Sequence, residues 1–262
     1  MMKRLIGILQ FMTRLPIPVD VGFDEAFHKG MVYFPIVGLI LGICYEIVAR
    51  IGSLFFEPYI VTILIICSEV ILTGGLHLDG LGDTFDGLYS YRDKDRILEI
   101  MKDSRLGTNG LLAIMLVLML KAGMLYEIVY ERKLFWLIIM PAVARWMQLL
   151  ACYKAKTPRE KGMGNIFIGK VTPKMLVISS ILLIGVILGT IGIHELFSGD
   201  RCYGYYIVQT SLSVLGLTLL TIGFIKSVYR KIDGITGDIL GAICELSELG
   251  FLMMLHFINQ LI

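Results

Sequence analysis

Seven stretches of this 262-residue chain stay apolar over the length a helix needs to cross a lipid bilayer, and that repeat constrains the fold more than any motif does. One crossing takes about 20 mostly apolar residues. The stretches fall at 31–49, 59–78, 109–130, 134–152, 174–194, 205–225 and 239–258. The fourth is the weakest, because Pro141, Arg145 and Gln148 interrupt it. Backbone in lipid must satisfy its own hydrogen bonds, so only helices and closed barrels span a membrane. These runs are too long for barrel strands and do not alternate as such strands do. The expectation is an all-α, polytopic membrane helix bundle forming one domain over 1–262. Composition agrees: 56% of residues are hydrophobic and 18% charged, where a soluble domain has roughly 25% charged residues.

Ahead of the first span, residues 2–15 read as an amphipathic helix lying at the interface, with Leu5, Ile8, Leu9 and Met12 on one face. Pro16 and Pro18 end it. The apolar part is short, and no small-residue cleavage site follows, so a signal peptide is not expected. With the N-terminus in the cytoplasm, 18 Lys and Arg residues fall on the inner side and four on the outer. That asymmetry fits seven spans with the C-terminus outside, hence a multi-pass protein of the cell (inner) membrane in contact with lipid. Short basic loops between spans account for the charge, so nucleic acid is not expected as a partner. Five scattered cysteines without a CxxC pair support neither a disulfide framework nor a thiolate metal site. The sequence is compatible with a homo-oligomer.

The outer loops are short, whereas three inner stretches, 77–108, 153–174 and 226–245, hold nearly every residue with chemical potential. An active site facing the cytoplasm follows. The first stretch opens on Gly75-Leu-His-Leu-Asp-Gly-Leu-Gly-Asp-Thr-Phe-Asp-Gly-Leu-Tyr89. On a helix Asp83 lies about 40° and Asp86 about −20° from Asp79, so one face holds all three. Carboxylates at a membrane boundary are costly unless hydrated, paired or holding a cation. Oxygen ligands point to a hard ion such as Mg²⁺ with phosphate oxygens completing its shell, so Asp79, Asp83 and Asp86 are candidate metal and catalytic residues. A solvated acidic helix face is the bland alternative.

Lys102, Ser104 and Arg105, followed by Gly107 and Gly110 at the start of the third span, make a candidate phosphate cradle; a positive flank with a glycine-rich helix start explains them equally well. In the loop from Lys154 to Lys174, Lys161 and paired glycines suit either a polyphosphate or lipid headgroups. Thr236 or Asp238 suits the N-cap of the last span, and Asp238 is also a candidate fourth metal ligand. Glu245 lies on the face of Asp238, inside apolar sequence where a carboxylate is expensive. Arg145 is expected to pair with Glu69 or Glu127. His77 points away from the acidic face unless the helix breaks, which leaves it a supporting or proton-relaying part.

The run Thr73–Gly87 closely resembles the signature of the cobalamin synthase (adenosylcobinamide-GDP ribazoletransferase) family. Phe11-Met-Thr-Arg-Leu-Pro-Ile-Pro18, Tyr33-Phe-Pro-Ile-Val-Gly38, Met101-Lys-Asp-Ser-Arg-Leu-Gly107 and Thr236-Gly-Asp-Ile-Leu-Gly-Ala242 agree in the same order. Two departures are Gly82, where the family often has Ala, and Asp233, where Gly is common. The resemblance implies a transferase of vitamin B12 synthesis that joins adenosylcobinamide-GDP to α-ribazole, or its 5′-phosphate, with loss of GMP and dependence on Mg²⁺. It implies Lys102, Ser104, Arg105, Gly107, Thr236 and Lys161 around the phosphates, with a free carboxylate or His77 taking the proton. Two rivals stand beside it. A CDP-alcohol phosphatidyltransferase-like enzyme requires an arginine that Leu88-Tyr89-Ser90-Tyr91 lacks after Asp86-Gly87. A cation or corrinoid transporter requires polar residues at depth in several spans, and Glu46, Glu69, Lys121, Glu127 and Arg145 supply some.

Overall fold

A computed structural model describes residues 2–22, 26–199 and 201–261, and among these there is no strand, only helices and their connections. The N-terminal helix α1 (Met2–Met12) is shorter than expected, because Thr13 turns its hydroxyl back onto the Leu9 carbonyl at 2.7 Å and the chain then runs extended toward Pro16 and Pro18. Its expected apolar face is the buried one, with Ile8, Leu9 and Met12 inside. A 3-10 turn (Phe27–Tyr33) leads into α2 (Phe34–Gly52), and α3 (Pro58–Thr73) returns antiparallel.

The second apolar stretch is where sequence and structure part. A continuous span over 59–78 was expected, but the chain bends by 89° after Thr73, and α4 (Leu76–Leu88) sets off across the bundle. Gly74 and Gly75 have φ of 64° and 70°, the left-handed region that a side chain makes expensive. The stretch 77–108 is accordingly no open loop: it carries α4 and the short α5 (Lys94–Ile100). Helix α4 crosses the first turn of the last helix where Gly80 faces Gly241, with no side chain between the backbones.

The remaining passes are α6 (Thr108–Tyr130), α7 (Trp136–Cys152), α8 (Pro173–Ser198), α9 (Tyr203–Ile232) and α10 (Gly237–Leu261). The expected loop over 226–245 shrinks to the turn 233–236, since α9 runs on to Ile232 and α10 begins at Gly237. Among the described residues five helices have the length and composition to cross a membrane, and the bent pair α3–α4 makes a sixth when its two arms are counted as one span. The seventh, α7, is short and buried nearly all round. Its weakness as a hydropathy signal has a structural cause: Arg145 and Gln148 turn toward neighbouring helices rather than lipid. Outward faces of α6, α8 and α9 expose Met119, Leu120, Ile181, Ile184, Leu215 and Leu219. A contiguous apolar belt of that kind belongs against lipid.

Candidate active site

The three acids of α4 do share one side of the helix, but each has a different setting. Asp79 is exposed, whereas Asp83 and Asp86 are half-buried. Asp86 accepts hydrogen bonds from the amides of Gly107 at 2.7 Å and Gly110 at 2.9 Å, two of the free donors at the start of α6. A Cβ at either glycine would collide with that carboxylate. The amides expected to cradle a ligand's phosphate therefore hold the protein's own Asp86. Asp83 lies half-buried among the charges of Asp79, Asp238 and Asp86, with Arg159 as the opposing charge. Four acids thus face one another with a single arginine among them.

That arginine was passed over in the sequence, where it is one of several basic residues in a loop. Arg159 donates through Nη1 to Asp238 at 2.9 Å and reaches the Leu98 carbonyl through Nη2 at 3.4 Å. Its Nε is buried without a partner, and the side chain is only 11% exposed. The cations named from the sequence lie farther out. Arg105 is 87% exposed and locked by Nε and Nη2 onto Asp103, two residues away, while Lys102, Ser104 and Lys161 are also exposed. A signal that separates Arg159 is its place between Pro158 and the turn Gly162-Met-Gly164, which folds the loop inward over α10.

At the start of α10 the two capping choices resolve. Thr236 Oγ1 accepts from the Ile239 amide at 3.3 Å and donates to Asp238 at 3.2 Å, so Thr236 is the cap and Asp238 is left facing α4 and Arg159. Asp233, in place of glycine, holds a left-handed φ of 57° at the end of α9. Its charge points outward and pairs with Lys94 at 3.0 Å, so it leaves the acid cluster untouched. Gly82 lies under Leu106 and Ile114, at distances where an alanine needs only a small shift.

His77 does not join the acidic face, because α4 is unbroken from Leu76. It is 3% exposed, and its Nδ1 has no partner. Below it lies a second group of acids, deep in the bundle. Lys121 Nζ sits 2.6 Å from Glu69, 3.0 Å from Glu245 and 2.7 Å from Glu248, and Arg145 closes on the other Glu248 oxygen. Arg145 thus pairs with Glu248, not with Glu69 or Glu127; Glu127 is occupied by His256 at 2.7 Å near the other end of α6. Among the described residues, Glu69, Glu245 and Glu248 are the one trio whose ligand oxygens all lie within 4.8 Å of one another. The ammonium of Lys121 already fills their centre.

Between α1, α4, α7, α10 and the 159–167 loop, a cavity of about 200 Å³ opens beside Asp79 and Asp238. Acids, arginine and cavity gather at the end of the bundle where α4 lies across the start of α6 and α10.

Comparison with known proteins matches the chain to one family. A family model described as cobalamin-5-phosphate synthase matches residues 4–256. The chain belongs to the cobalamin-5-phosphate synthase family. Curated relatives named adenosylcobinamide-GDP ribazoletransferase include one from Clostridioides difficile, 49% identical over 98% of both chains. Another, from Alkaliphilus metalliredigens, is 45% identical over 98% of this chain and 96% of its own. A third, from Clostridium novyi, is 38% identical over 97% and 96%. No solved structure matches. The protein is a transferase of cobalamin synthesis, as its signature run suggested.

Proposed function

We propose that this member of the family joins adenosylcobinamide-GDP to α-ribazole, or α-ribazole 5′-phosphate, and releases GMP. The observation that carries this reading is the excess of carboxylate over cation at the mouth of α4 and α10, beside a cavity. Asp79, Asp83 and Asp238 offer only oxygen donors, and a bound cation relieves the crowding of their charges. That donor chemistry suits Mg²⁺ once the carboxylates draw together, since their oxygens do not all lie within 4.8 Å of one another as they stand, with Asp86 behind them tying the set to α6. Bound there, the ion supplies charge neutralisation to the diphosphate.

The chain's own groups do the rest. Arg159 is placed to exchange Asp238 for a phosphate oxygen, since its planar fork suits either partner. Exposed Lys102, Arg105 and Lys161, with Ser104, form an outer fringe that draws a polyanion toward the mouth. The acceptor's hydroxyl oxygen attacks the phosphorus attached to cobinamide, a new P–O bond forms, and the bond to the GMP oxygen breaks. A carboxylate of this set that the ion does not engage accepts the hydroxyl proton, and His77, buried in the interior, is suited to shaping the floor. The N-terminus and this mouth face the cytoplasm of a cell whose inner membrane holds the bundle, in keeping with the basic residues crowded at that end.

The test is turnover by purified protein in liposomes with adenosylcobinamide-GDP and α-ribazole. GMP and corrinoid product should form in equal amounts, stop on chelation and resume with Mg²⁺. Product formation undiminished by chelation overturns the metal assignment, and no product with both substrates present overturns the reaction.

A further inference from the structure

The cavity beside the acids is built differently from the acidic mouth itself. One wall is apolar, formed by Phe11, Phe34 and Phe167. The Phe11 and Phe167 rings pack edge to face at 5.3 Å, and those of Phe34 and Phe167 at 6.1 Å. The floor is polar: His77 and Gln148 both line the cavity, and each leaves an atom without a hydrogen-bond partner. Gln148 is 4% exposed and spends its amide donor on the Leu240 carbonyl at 3.0 Å, so Oε1 is the idle atom. His77 is 3% exposed with Nδ1 idle. Two buried polar atoms without partners beside an aromatic-walled cavity are costly, and each meets a ligand there once its side chain turns toward the cavity. A dry cavity of about 150 Å³ accepts benzene, so about 200 Å³ admits a flat ring system but not a corrinoid macrocycle.

Resting on the transferase reading above, we infer that this cavity is the subsite for a flat heteroaromatic nucleoside base, with the aromatic wall against the ring face and His77 and Gln148 at its polar edge. The ribose and its hydroxyls then lie toward Asp79 and Asp238, where the phosphate chemistry occurs. Two substrates of the proposed reaction carry such a base: guanine in the donor and benzimidazole in the acceptor.

Two variants separate the sources. Leu76→Trp, at a half-buried lining position, fills the cavity, and Gln148→Leu keeps volume while removing the polar edge. Equilibrium binding of α-ribazole and of GMP, each alone without Mg²⁺, is measured on wild type and both variants, together with the KM for each substrate. The subsite predicts that one ligand loses at least about tenfold in affinity in both variants, in line with an unpaired polar edge or a blocked pocket. The other ligand keeps its affinity and so shows that the variants are folded. The ligand that moves names the source. If wild type turns over and both variants bind both ligands normally, the subsite is overturned while the transferase reading stands. If wild type makes no product, the reading beneath the subsite fails.

Discussion

Two acidic clusters lie within one bundle, and their contrast separates architecture from chemistry. The deep cluster has three glutamates and two cations, every one of them buried, with Lys121 bonded to all three acids and Arg145 to Glu248. The mouth cluster has four aspartates and one arginine and is half open to solvent. Buried charges paired with one another fix how helices meet, though they contribute little net stability. Unbalanced charge at a mouth keeps capacity for something the chain does not carry. The same comparison weighs against a transport path, since the polar residues at depth are closed on one another instead of lining an opening.

Breaking the deep cluster should have the largest effect. Glu248→Ala strips Arg145 of its carboxylate partner and Lys121 of one of its three, and loss of one partner of a buried set costs about 3–5 kcal/mol. Thermal unfolding in detergent should drop steeply, with activity lost alongside folded protein. A stable, active Glu248→Ala protein would mean that the network is dispensable.

At the mouth the expected outcome inverts. Asp83→Asn should lower turnover by about 10²–10³-fold, the scale of losing a main electrostatic contact to the reacting group. Its melting temperature should hold or rise, because one crowded carboxylate is gone. Retained activity, or unfolding comparable to Glu248→Ala, would erase the distinction between the clusters.

How much of this was legible follows from what each signal depends on. Spans come from long local runs, so α6, α8 and α10 are readable within a few residues, while α9 runs on past its apolar stretch to Ile232. The acids of α4 share a face by helical period alone, which is why Asp79, Asp83 and Asp86 were grouped before any coordinates. The 89° bend was hidden, since Gly74-Gly75 reads only as a weak point until the left-handed φ values are seen. Pairings across the bundle were beyond reach for the same reason: Arg145 with Glu248 and Arg159 with Asp238 join residues far apart in sequence. Gly107 and Gly110 illustrate a subtler miss. Their amides do bind an anion, but it is Asp86 rather than a substrate.

Asp86 therefore straddles the comparison, and Asp86→Ala should sharpen it. Loss of two charge-assisted bonds to the α6 amides should cost about 0.5–2 kcal/mol, visible in denaturation, with a fall in turnover smaller than that of Asp83→Asn. An equal fall would place Asp86 among the metal-holding oxygens outright.

The smallest effect should come from the fringe. Arg105→Ala should change turnover by less than about twofold at moderate salt, because an exposed pair contributes little. Arg159→Ala should cost far more in turnover. Equal losses in the two would return the phosphate contact to the outer loop.

The account stands or falls on where a divalent ion binds. Mn²⁺, standing in for Mg²⁺, can be titrated and followed by electron paramagnetic resonance in wild type, Asp83→Asn and Glu69→Gln. The prediction is saturable binding in wild type that is lost in Asp83→Asn and kept in Glu69→Gln. Binding that survives Asp83→Asn and disappears in Glu69→Gln would contradict it, and would move the metal to the buried glutamates.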